Sequence, residues 1–240
     1  MSELRDLATC YVQRFGARVG LDIRTRRPPE PRRQQLIERN GIGLVLDVGA
    51  HFGEYAHALR EHGYCGRIVS FEPERANFEQ LSARAAHDPA WEVERFALSD
   101  TDGDAELGVA DVFSSLLPAN DRLTAVFERA RAQMHQTVPL RRLDELERYA
   151  EEVQSTPTLI KLDVQGNELR ALRGAEGLLE HIRMAEVELS VVPLYEGQPT
   201  MFDVMEFLDS HGFELVDLEP IGRDRNTGQF MQFDGIFVRR

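Results

Sequence analysis

Two short runs carry charge where strands of their composition should carry none. In LIKLDV (159–164) Lys161 and Asp163 fall on one face, and in MAEVELS (184–190) Glu186 and Glu188 share a face with Met184 and Ser190. Both runs read as central parallel strands, which are normally apolar on both sides. As neighbours in register they set Lys161 opposite Glu186 and Asp163 opposite Glu188. The first pair would neutralise two buried charges, since an unpaired one is too costly to keep. The second pair sits at the strand ends, facing a ligand crevice. Two carboxylates aimed at one crevice repel each other. The repulsion is relieved by a raised pKa, which makes one of them a base, or by a shared hard cation such as Mg²⁺. Gln165 and Asn167 supply neutral oxygens, yet two acids make a sparse cation site. A metal-independent base is therefore the expectation, and no metal ligand is assigned. His51 and His135 are further candidates for a base, because histidine titrates near neutrality.

A second feature with chemistry in it is a glycine turn, LVLDVGAHFGEY (44–55), in which an apolar run leads through Asp47 to Gly49 and Gly53. A P-loop needs G-x-x-x-x-G-K-[ST], but five positions after Gly49 stands Glu54. A dinucleotide fingerprint puts glycines at 49, 51 and 54, and His51 would obstruct the close backbone approach that the middle glycine serves. Glu54 in the first helical turn would also repel phosphate at the end where the helix dipole draws anions. A ligand with a ribose and a charged amino-acid tail fits better. S-adenosylmethionine (SAM) carries an ammonium and a sulfonium, for which Asp47 and Glu54 are suited. Glu72 closes the next strand, 23 residues after Gly49, about where an acid meets ribose hydroxyls in doubly wound folds.

The elements that must position these residues follow from periodicity. Leu4, Leu7, Tyr11, Phe15 and Val19 predict an amphipathic helix over 3–19. RTRRPPEPRR (24–33) then reads as a Pro-stiffened linker, or as an arm that contacts an anionic substrate or a second subunit. From residue 44 strands and helices alternate: strand 44–50, helix 53–62, strand GRIVSFEP, helix 74–86 and strand WEVERFALS. Residues 100–120 break the rhythm, with AELGVA as a candidate extra strand. Helices are expected over 121–134 and 143–153, then strand PTLIKLDV, helix ELRALRGAEGLLEHI, strand MAEVELSVV and helix MFDVMEFLDSHG. FELVDLEPI and QFDGIFVRR close the chain as an antiparallel pair. The expectation is an α/β, doubly wound, Rossmann-like parallel sheet with a C-terminal antiparallel pair and an N-terminal helix. Residues 1–40 form the helix and linker, and 41–240 the main domain.

Composition excludes several classes. The chain has 240 residues, 29% of them charged, and a net charge of −13, which argues against a general affinity for nucleic acid. No apolar run approaches the ~18 residues of a membrane span. The two cysteines, Cys10 and Cys65, suggest neither a metal site nor a disulfide framework, and the first residues lack signal-peptide order. A cytoplasmic protein with reduced thiols is expected. Lys161 is the only lysine among 28 basic residues.

DVGAHFGEY, IVSFEPE, FALSD, IKLDVQGNELRALRGA, AEVELS and DGIFV, in this order and spacing over residues 44–238, are similar to the motifs of the FkbM-type family of class I SAM-dependent methyltransferases. The resemblance implies O-methylation of a hydroxyl on a small molecule, often a sugar or natural-product intermediate. It implies cofactor contacts from Asp47, Gly49, Ala50, His51, Gly53 and Glu54, from Glu72 with Pro73, and from Ala97, Leu98 and Asp100 beside the adenine. Segment 100–140 and the N-terminal helix would cover the site and choose the substrate, and the helix would also serve a homodimer. The chain departs from the family at His51, where Asn is usual, and at Gln165, where Glu is usual. The alternatives are a SAM-binding protein without turnover and a nucleotide-dependent oxidoreductase, the latter disfavoured by the missing glycine.

Overall fold

A computed structural model describes residues 29–224 and 227–240. Helix α1 (Pro29–Arg39) leads into β1 (Leu44–Val48), α2 (Glu54–Glu61), β2 (Arg67–Phe71), α3 (Arg75–Ala85) and β3 (Trp91–Glu94). There follow β4 (Ala97–Leu98), β5 (Gly103–Val109), α4 (Asp121–Val126), β6 (Met134–Arg141) and α5 (Glu147–Ser155). The chain ends through β7 (Thr158–Leu162), α6 (Glu168–Arg173), β8 (Ile182–Ser190), α7 (Met201–Ser210), β9 (Phe213–Arg223) and β10 (Phe230–Arg239).

The main sheet runs β3-β2-β1-β7-β8-β10-β9, parallel except for β10, which is antiparallel to both β8 and β9. This is the doubly wound sheet with an antiparallel C-terminal pair that the sequence predicts. Strand order reverses between β1 and β7, which puts the natural ligand crevice at their carboxyl ends. Alternate residues of each strand serve two cores. Val45, Ile68, Leu159, Met184 and Ile236 pack with Ile37, Leu59 and Leu81 from α1, α2 and α3. Leu46, Phe71, Leu162, Val187 and Phe237 pack with Val153, Leu172 and Leu208 from α5, α6 and α7.

Several elements differ from expectation for local physical reasons. The helix expected over 3–19 lies outside the described residues. Residues 29–33, read as linker, begin α1 instead. Pro29 and Pro31 sit in the first turn, where their missing N–H groups would have had no helical partner. Ile37 of this helix is buried in the same core as Val45 and Ile68. The third strand is two: the chain turns away after Glu94, and Ala97–Leu98 pair with β6 in a separate sheet ordered β4-β6-β5. The helix expected over 121–134 stops at Val126, and Met134–Arg141 form a strand that buries Val138 and Leu140 between its two neighbours. α6 stops at Arg173, and the Gly174 that follows lies so close to β4's continuation that a Cβ would sit 1.9 Å from the Ser99 carbonyl oxygen.

Candidate active site

The face of the sheet under α1 and α2 carries a polar row across four strands. Ser70, Asp47, Lys161 and Glu186 are successive register partners on β2, β1, β7 and β8. Trp91 Nε1 donates to Ser70 Oγ at 2.9 Å, and Ser70 Oγ donates to Asp47 Oδ2 at 3.1 Å. Lys161 Nζ lies 3.4 Å from Asp47 Oδ1 and 3.7 Å from Asp163 Oδ2, and donates to the Gly49 carbonyl at 3.2 Å. Burial alone would lower its pKa, but the charges of Asp163, Asp47 and Glu186 hold the ammonium above its ordinary range.

Register sets Lys161 opposite Glu186, yet Glu186 is bound from elsewhere. Arg33 of α1 grips it through Nε at 2.8 Å and Nη2 at 2.5 Å, and Tyr55 Oη donates to it at 2.7 Å. The expected Lys161–Glu186 pair is replaced because a forked guanidinium satisfies a buried carboxylate better than one ammonium. Arg33 comes from the stretch read as linker, and Tyr55 was not singled out at all. Only the basic composition of 24–33 hinted at a role for Arg33.

Above this row opens a cavity of about 400 Å³. Gly49, Ala50, His51 and Glu54 line it from the glycine turn, Glu72 and Pro73 from the end of β2, and Ala97 and Leu98 from β4. Phe71 and Phe96 make that end apolar. Gly49 has φ +76°, and a Cβ there would sit 1.9 Å from the Asp163 carbonyl oxygen. The turn therefore presses against the end of β7. Glu72 accepts from the His51 backbone N–H at 2.8 Å and the Glu74 N–H at 2.9 Å. Burial nevertheless lifts its pKa to about 7.

Three expected contacts do not line the cavity. Asp47 is fully buried beneath the turn and acts through Lys161. Gly53 faces Leu81 and Trp91, starting α2 with φ +82°. Asp100 is held by Arg170 at 2.8 Å behind β4. His51 remains at the cavity wall with Nε2 buried and without a partner, whereas His135 is exposed on β6 and outside the cavity.

The opposite wall holds Asp163 and Glu188. Gln165 Nε2 donates to Asp163 Oδ1 at 2.8 Å and to Glu188 Oε2 at 3.2 Å, while its Oε1 accepts from Tyr195 Oη at 2.8 Å. Gln232 Nε2 adds a 2.6 Å bond to Glu188 Oε2. Glu188 is 8% exposed, and burial, with the nearby charges of Asp163, Glu168 and Asp234, pushes its pKa well above the usual carboxylate range. The Asp163 side chain is 41% exposed. Asp234, opposite Glu188 on β10, also lines the cavity, with a pKa lifted to about 7 by burial and the Glu186 charge. It belongs to the DGIFV motif but had no assigned role. Among the described residues no group of three or more His, Cys, Asp or Glu side chains is placed to hold a metal ion.

The fit to a nucleoside-bearing cation is direct. An acidic acceptor at the end of β2 suits ribose hydroxyls, an apolar slot suits a flat base, and carboxylates suit a positive centre. Asn167, 2% exposed at the cavity wall, leaves both amide atoms without a partner, which is costly unless a ligand meets them.

Residues 47–215 match the methyltransferase FkbM domain. No curated protein matches the chain by sequence. Among solved structures, an rRNA methylase from Streptococcus thermophilus is 10% identical, covering 90% of this chain and 99% of that one with a TM-score of 0.49. Magnesium protoporphyrin IX methyltransferase from Synechocystis, with bound SAM, is 11% identical over 88% of this chain and 78% of that one, with a TM-score of 0.48.

Proposed function

Because the chain belongs to the FkbM methyltransferase family, we propose that it is a SAM-dependent O-methyltransferase acting on a hydroxyl of a small, uncharged or cationic molecule such as a sugar or natural-product intermediate. The observation that carries the reading is that one cavity joins the 49–54 turn and Glu72 to the carboxylate pair Asp163 and Glu188. Bound SAM supplies an electrophilic methyl group on a sulfonium. Gly49, Ala50, Glu54 and Glu72 would hold it, with Ala97 and Leu98 beside its base.

Methyl transfer to oxygen is an in-line displacement, so the protein's first task is to place a hydroxyl oxygen behind the methyl carbon. The new O–C bond forms as the S–C bond breaks, and the hydroxyl proton must leave. Asp163 and Glu188, joined by Gln165, stand at the cavity where a carboxylate can take that proton. Lys161 Nζ lies 3.7 Å from Asp163 Oδ2, and burial pushes the Glu188 carboxyl well above the usual carboxylate range.

The charge around the pair supports a substrate without phosphate. Arg33 and Lys161 line the cavity, but each already faces a carboxylate, and Glu54, Glu186, Glu188, Asp163 and Asp234 outnumber them. Nucleic acid needs unneutralised cations along its path. The net charge of −13 points the same way.

Calorimetry with SAM and S-adenosylhomocysteine tests the cofactor. Incubation with methyl-labelled SAM and separate panels of sugars, amino sugars, polyketide alcohols and bulk tRNA and rRNA tests the acceptor. Label in a hydroxylated small molecule is expected. Label confined to RNA would overturn the substrate reading, and absence of SAM binding would overturn the whole.

A further inference from the structure

Gln165 stands where the strand–helix junction bends through a positive φ of 50°, one residue before Gly166 at φ +100°. Four hydrogen bonds, one to its backbone carbonyl and three to its side chain, hold the residue in this strained backbone. Ser115 Oγ donates to the Gln165 backbone carbonyl at 2.6 Å, Tyr195 Oη donates to the side-chain carbonyl at 2.8 Å, and the side-chain amide spans Asp163 and Glu188. An amide can be turned either way round, but its oxygen facing two carboxylates would be repelled. Tyr195 supplies the donor that fixes the other orientation.

The consequences fall on individual oxygens. Glu188 Oε2 accepts from both Gln165 and Gln232, so it is held as the charge-bearing oxygen. A proton on Glu188 is thereby directed to Oε1. Asp163 Oδ1 is likewise bound by the amide, leaving Oδ2 toward Lys161.

We propose that Gln165, locked by Tyr195, is a positioning residue that holds the Asp163 and Glu188 carboxyl groups together at the cavity and directs the exchangeable proton of Glu188 to its Oε1. The proposal rests on the SAM reading and deepens it. An amide at this position serves better than a third carboxylate would, because it donates to both acids without adding charge. Glu188 is also faced by Glu168 from α6, Asp234 from β10 and Lys161 from β7, and none of these bridges the two acids.

Two cofactor analogues read the charge of Glu188 without an acceptor substrate. S-adenosylhomocysteine is neutral where the methyl group would be, whereas sinefungin carries a protonated amine there. In the wild type, the preference for sinefungin over S-adenosylhomocysteine should rise with pH as Glu188 loses its proton. Gln165→Leu removes the shared donor, so the proton is held more tightly and this rise should move to higher pH by about one unit or more. Tyr195→Phe frees the amide and should move it in the same direction by less. A merely structural role would weaken both ligands equally at every pH and leave the midpoint in place. An unmoved midpoint in both variants, with S-adenosylhomocysteine still bound, overturns the inference alone. Wild type that binds neither analogue overturns the SAM reading and the inference with it.

Discussion

The Lys161 ammonium lies 3.4 Å from Asp47, a carboxylate with no exposed surface, and donates to the Gly49 carbonyl at 3.2 Å. The chain's only lysine thus ties the base of the cofactor turn to the end of β7. Removing one partner of a buried pair leaves the other charge uncompensated. Lys161→Met should therefore cost about 3–5 kcal/mol in urea unfolding. Asp47→Asn combined with it should recover part of that loss. Additive losses in the double-mutant cycle would show that the two charges do not support each other.

Gly49→Ala should be more damaging than an ordinary surface substitution. Its Cβ would meet the Asp163 carbonyl oxygen at 1.9 Å, at a φ of +76° that alanine resists. We expect a loss of more than about 1 kcal/mol in stability, with weaker S-adenosylhomocysteine binding as the turn and β7 separate. A variant with wild-type melting and affinity would show that the turn has slack the geometry denies.

Glu72→Ala should weaken S-adenosylhomocysteine by roughly 1–3 kcal/mol, the scale of a buried acceptor lost from hydroxyl donors. Calorimetry on the folded variant measures this. Unchanged affinity would remove Glu72 from the cofactor site.

Stability should depend on pH through Glu72 and Glu168, both buried, and the partly buried Asp234. Glu72, Glu168 and Asp234 each have a pKa raised to about 7, burial being the largest cause. In the native state they hold protons that the unfolded chain releases near 4, so their contribution is full in acid and is lost as pH rises through 7. Asp88, Glu92 and Asp100, lowered by arginine partners against the effect of burial, act oppositely and lose stability only below the usual carboxylate range. The ligand-free protein should thus be more stable near pH 5 than near pH 8. Asp234→Asn should be as stable as wild type at the acid end and more stable at pH 8. Parallel urea curves at both pH values decide it.

Asp163→Asn and Glu188→Gln should each slow methyl transfer by roughly 10²–10⁴-fold, the usual worth of general-base catalysis, with S-adenosylhomocysteine still bound. EDTA should leave the wild-type rate unchanged. A loss on chelation that Mg²⁺ restores would assign the two acids to a cation. Near-normal rates in both variants would move the chemistry to His51.

Some of this was readable from sequence because it is set by near neighbours. The two-residue period of LIKLDV and MAEVELS put Lys161, Asp163, Glu186 and Glu188 on one face; the structure pairs Lys161 with Glu186 in the expected register and brings Asp163, just past the end of β7, to the same cavity as Glu188. Apolar runs, glycine turns and the alternation of strand and helix were enough for the doubly wound sheet and for the ligand crevice at the end of β1. Local spacing could not decide who pairs with whom. Lys161 has carboxylates on both sides, and its choice of Asp47 depends on Arg33, which lies more than a hundred residues away in sequence and reaches Glu186 only because α1 packs on the same face of the sheet. Tertiary structure likewise decided the short strand at Ala97, since Ala97–Leu98 gain their hydrogen bonds from β6 and not from the strand before them. It also made Gln165 a bridge, because Tyr195 and Glu188 meet it only after the sheet has closed around the cavity. Periodicity records which face a side chain takes, whereas the partner on that face is supplied by segments that only folding brings near.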